Sequence, residues 1–108
     1  MNRWLAHYCV DVKHPNVSGA EHLEMLQIRD KLADVEDTLT SEEQEILAAA
    51  DQTLVEQAAA FHSMLQSFLD LAQYRQEHKM PPERWWWYLD VVRHVPSFGP
   101  KVSSSDFQ

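Results

Sequence analysis

The chain has 108 residues, of which 44% are hydrophobic and 24% charged, with only two glycines and a net charge of −8. That is the length of one domain, too apolar to stay disordered and too short for two independent cores. The negative charge repels nucleic acid and anionic lipid alike, so neither is an expected partner.

The first segment, residues 3–12, fits two patterns. Trp4, Ala6, Tyr8, Val10 and Val12 alternate as in a strand, whereas Leu5, Tyr8, Cys9 and Val12 share a helical face. Helix is the better reading, because a strand needs a pairing partner and the only other β-prone run, near residue 87, has a helical explanation of its own. His14-Pro15-Asn16 ends this segment.

A second helix opens at Ser18, with Glu21 three residues on to complete a capping box. Met25, Ile28, Leu32 and Val35 then recur at three and four along one face. Its end runs into an acidic turn of Asp34, Glu36 and Asp37, continued by Glu42, Glu43 and Glu45. Residues 20–60 hold eleven acids against two bases.

The third helix opens at Ser41-Glu42-Glu43-Gln44, with acids in the first turn where the helix dipole favours them. No proline or glycine follows until Pro81, so one helix from about 42 to 77 is expected, the competing account being a bend or break at the alanine-rich Ala58-Ala59-Ala60 stretch. Leu54, Phe61 and Phe68 stand seven apart, with Ala58, Leu65 and Ala72 between them. A fourth helix begins at Pro81-Pro82 and runs to about Arg93, with Trp85, Tyr88, Leu89 and Val92 inward and Trp86 outward among Glu83, Asp90 and Arg93. The fold predicted is all-α, four helices built on a long hairpin of the second and third, with short aromatic helices at either end. Residues 1–95 form the single domain and 96–108, rich in Pro and Ser, a flexible tail.

Chemistry-bearing motifs are scarce. The glutamates lack the histidine three residues later that a di-iron bundle needs, the two glycines make no phosphate loop, and the acidic turn lacks the central glycine of a calcium loop. Cys9 is alone, so no disulfide can form within the chain, and a small interior thiol is the reading over a nucleophile. His62 lies on the apolar stripe as a core histidine, the one candidate for a pH-sensitive contact or a helical pocket. No catalytic, metal or cofactor residue is assigned, and the chain reads as non-enzymatic.

With no signal-peptide pattern and no transmembrane stretch, a cytoplasmic protein is expected. Its function is read as a helical interaction or assembly module. A 36-residue helix would measure ~54 Å, against a diameter of roughly 34 Å for a compact domain of this size. Its stripe would then project into water, and a homodimer through Leu54, Phe61, Leu65 and Phe68 would cover it. Trp86, with Glu42, Glu43 and Glu45, is the expected partner contact. The alternative is an acidic regulator, antitoxin-like or a DNA mimic, that occupies the surface of a basic protein partner.

Overall fold

The computed structural model describes residues 1–100. Among the described residues there are six α-helices: α1 (Arg3–Asp11), α2 (Gly19–Val35), α3 (Ser41–Glu56), α4 (Ala58–Leu65), α5 (Leu71–His78) and α6 (Leu89–Val92). Single 3-10 turns lie at Glu36–Thr38, Trp85–Tyr88 and Pro96–Phe98, and no strand occurs among the described residues. The all-α expectation holds, and residues 3–12 resolve as helix.

The first two helices begin where capping chemistry places them. The Asn2 side chain accepts from the backbone N–H groups of Trp4 and Leu5, and Ser18 and Glu21 cap each other's N–H groups at the start of α2. At α3 the capping box lies one residue earlier than expected, between Thr40 and Glu43 rather than Ser41 and Gln44.

The expected long helix is three helices. It breaks first at Gln57, whose φ of −101° and ψ of 11° leave the α region without any glycine or proline. One turn earlier the Thr53 hydroxyl donates to the Ala49 carbonyl at 3.2 Å, a back-bond that bends helices. It breaks again after Leu65, where Ser67 donates to the Met64 carbonyl and Asp70 caps α5 through the Gln73 N–H. α5 ends at Lys79 in the left-handed conformation, two residues before Pro81.

These breaks fold the apolar stripe into the core of its own chain. Leu54, Phe61 and Leu65 are completely buried, and the described residues span 36 × 32 × 25 Å. The length argument for a dimer through this stripe therefore loses its premise, and three of its four interface residues are unavailable to a partner. Phe68 alone stays on the surface, 53% exposed.

The helical hairpin is also replaced. α2 packs most closely on α1 and α4, α1 touches both α2 and α3, and α4 lies against α6. The aromatic run forms a 3-10 turn and a single turn of α6, so Trp85, Trp86 and Trp87 are all buried. Of the expected tail, residues 96–100 are placed: Phe98 rests on the Tyr88 ring at 5.1 Å and Gly99 is buried. Residues 101–108 lie outside the described residues.

Candidate interaction surface

Charge in this molecule divides between an interior cluster and an open face. Inside, α2 presents Arg29 to Asp51 of α3 through two hydrogen bonds of 3.0 Å, and the Tyr8 hydroxyl of α1 donates to the same carboxylate at 2.6 Å. All three residues are buried. Burial works against the Arg29 charge, but attraction and hydrogen bonding to Asp51 outweigh it and raise the pKa. Tyr8 is pushed well above the ordinary phenol range, by desolvation first and by the Asp51 charge second. Arg29 Nη1 has no hydrogen-bond partner, its nearest carboxylate being Glu36 at 4.0 Å.

Trp86 closes this cluster. Its ring lies over the Arg29 guanidinium at 4.2 Å, and its indole N–H donates to Asp30 at 2.9 Å. The indole of Trp87 donates to the same oxygen at 2.8 Å, and Arg84 pairs with it at 2.8 Å. The expectation that Trp86 stands exposed among Glu83, Asp90 and Arg93 is corrected: it is 3% exposed, and its charged neighbours are Arg29, Asp30 and Arg84. The helical phase that put it outward fails because residues 85–88 are 3-10, with three residues to a turn.

His62 borders a cleft of about 290 Å³ with Gln66, Asp70 and Asp90. Arg93 donates to its Nδ1 at 2.9 Å, and since Arg has no acceptor, Nδ1 is unprotonated and Nε2 carries the hydrogen. Desolvation depresses the His62 pKa, opposed by the Asp90 charge. The two carboxylates are already engaged, Asp70 in capping α5 and Asp90 in a two-pronged pair with Arg75 at 2.6 and 3.2 Å. Cys9 is half-buried, and desolvation raises its thiol pKa, which is the opposite of activation. Among the described residues no three His, Cys, Asp or Glu side chains converge as metal ligands, and no helix is long and apolar enough to cross a membrane.

The open face lies where α1 crosses α2. A groove of about 390 Å³ is lined by Arg3, Trp4 and His7 of α1 and by Glu24, Gln27, Ile28 and Lys31 of α2. Trp4 is half-buried, with the Arg3 guanidinium 5.0 Å and the Lys31 ammonium 5.9 Å from its ring centre. Both cations are exposed, and neither forms an ion pair among the described residues. Arg29, Arg75 and Arg84, by contrast, are each fixed to a carboxylate.

Beside the groove, across the start of α1, a second hollow of about 370 Å³ is lined by Met1, Thr40, Glu42, Glu43 and Ile46. The Asn2 N–H donates to Glu43 at 2.8 Å, which fastens the start of α1 to the first turn of α3. That bond and the one from Thr40 hold the Glu43 carboxyl below its usual range. Of the three acids expected to meet a partner, Glu42 and Glu45 are exposed and Glu43 is tied into the cap.

Arg3, Trp4 and Lys31 escaped sequence reasoning as a site because they are 28 residues apart at the extremes and meet only through the packing of α1 on α2. Arg29 and Asp51 did have a signal. Arg29 stands four after Met25 and three before Leu32, and Asp51 four after Leu47 and three before Leu54, so each is a charge at core spacing. Neither a protein family nor a characterised protein nor a solved structure matches the chain.

Proposed function

We propose that this protein is a helical interaction module that engages a protein partner through the α1/α2 groove. The observation that supports this reading is the pairing of Trp4 with two cations, Arg3 and Lys31, that have no carboxylate partner among the described residues. A half-exposed tryptophan offers large contact area with few rotors, the residue type on which interfaces concentrate their binding energy. Its flanking cations hold orientation and speed encounter with an acidic surface. In so acidic a chain, unneutralised positive charge around an aromatic ring is a local exception.

A photo-crosslinking side chain placed at Gln27, on the groove wall, tests the reading in intact cells. The expected result is a discrete adduct that disappears when Trp4→Ala is added and that never forms from the same group at Gln76 on α5. Equal yields from the two positions would sink the groove as a docking site.

A further inference from the structure

The groove and the acidic hollow both border one short stretch, residues 1–4, with Arg3 and Trp4 lining the first and Met1 lining the second. On one side stand Arg3 and Lys31, with Glu24 the single carboxylate among the lining residues. On the other stand Glu42 and, one turn along α3, Glu45, with the already committed Glu43 between them. Each also holds apolar groups that reach water: half-buried Trp4 in the groove, and Met1, 72% exposed, with half-buried Ile46 in the hollow. An apolar centre flanked by a positive and a negative margin is self-complementary. Rotating a second copy by half a turn about an axis through the centre brings each margin onto its opposite.

Resting on that reading of the groove, we propose that the partner is a second copy of this chain, joined about a two-fold axis near residues 1–4. In that dimer Glu42 and Glu45 of each copy face Arg3 and Lys31 of the other. The arrangement closes on itself, so it stops at two. It also accounts for the free cations: their counter-charges are supplied by the second copy. The rim charges contribute register and encounter rate, while Trp4, Met1 and Ile46 exclude water at the centre.

Charge exchange separates this dimer from other partners. Purified chain should sediment as a dimer at micromolar concentration. Salt should weaken the dimer by roughly tenfold or more as the screening length falls from ~10 Å at 0.1 M to ~3 Å at 1 M. The double variants Arg3→Glu with Lys31→Glu, and Glu42→Lys with Glu45→Lys, should each be monomeric with unchanged helical circular dichroism, since none of these side chains makes a hydrogen bond or ion pair among the described residues. Mixed in equal amounts they should recover the dimer, because both contacts are then opposite in sign again. A mixture whose mass grows past the dimer would mean head-to-tail contact and overturn the two-fold arrangement. A purified chain that stays monomeric through the millimolar range, or a dimer indifferent to both double variants, overturns the proposal. Adducts from Gln27 to a different protein, with the purified chain monomeric, would leave the groove as a docking site and remove only self-association.

Discussion

A single residue separates Arg29 from Lys31 on α2, yet Arg29 lies in the core against Asp51 while Lys31 stands at the rim of an open groove beside Trp4. Both are cations near a tryptophan ring. Around Arg29 three neighbours are fixed: Asp51 by two hydrogen bonds, Tyr8 by a third, Trp86 by its own bond to Asp30. Lys31 makes no hydrogen bond or ion pair among the described residues. A charge in the interior has its partner chosen by the fold, and a charge on the rim is free to have one chosen by encounter. The first kind should govern stability and the second association, and substitutions can separate the two.

The largest effect is expected at Asp51. Asp51→Ala leaves the Arg29 charge and the Tyr8 hydroxyl buried without partners, and breaking a buried pair in this way costs about 3–5 kcal/mol. Urea denaturation followed by circular dichroism measures it. A loss below ~1 kcal/mol would mean that Arg29 swings to Glu36, at 4.0 Å the nearest alternative, and that the interior is less rigid than its bonds imply.

A smaller effect is expected from pH, where the interior excludes charge instead of pairing it. His22 is 2% exposed, edge-on to Phe61, with Nε2 donating to the Pro15 carbonyl at 3.0 Å. Desolvation lowers its pKa from 6.5, as it does for His62. The folded chain thus binds a proton less readily than the unfolded chain. Stability should be complete above pH 6.5, fall as pH drops below it, and level off once the folded pKa values are passed. Each imidazole contributes a slope of at most about 1.4 kcal/mol per pH unit. Urea midpoints measured between neutral and mildly acidic pH should decline, and His22→Gln should flatten part of that decline. A midpoint that rises on acidification would contradict the direction of both shifts.

Sequence and structure agree where the cause is local. The Ser18–Glu21 box, the break at Pro81 and the helicity of residues 3–12 follow from side chains acting within a turn or two of themselves. The long helix reads as unbroken because Ala58, Ala59 and Ala60 are among the best helix formers, and the one local mark of the break, the Thr53 back-bond to Ala49, is too weak to be legible in the sequence. What stops it is the need to bury Leu47 and Leu54 on one side of the break and Ala58, Phe61 and Leu65 on the other within a body 36 Å across. Asp70 was a legible cap that the seven-residue apolar repeat overshadowed. Trp86 was misplaced by assuming α-helical phase for a 3-10 turn. The groove was invisible because Arg3, Trp4 and Lys31 become neighbours only once α1 lies on α2.

The smallest effect on folding is expected at the rim, and its smallness matters most to the comparison. Lys31→Gln and Glu45→Gln each replace an exposed charge by a neutral side chain with similar helix propensity, and neither residue takes part in a hydrogen bond or ion pair among the described residues. Surface changes of this kind shift stability by no more than about 0.5 kcal/mol. The Lys31 ammonium lies 5.9 Å from the Trp4 ring, and at an exposed site such a contact is worth about 0.5–1 kcal/mol at most, so even its loss leaves the change small. Parallel thermal melts and sedimentation runs on the same samples should therefore diverge, with melting unmoved and self-association weakened. If Lys31→Gln instead destabilises the chain as much as an interior substitution, Lys31 belongs with Arg29 as a structural cation, and the division between fixed and free charge fails at the residue on which it was drawn.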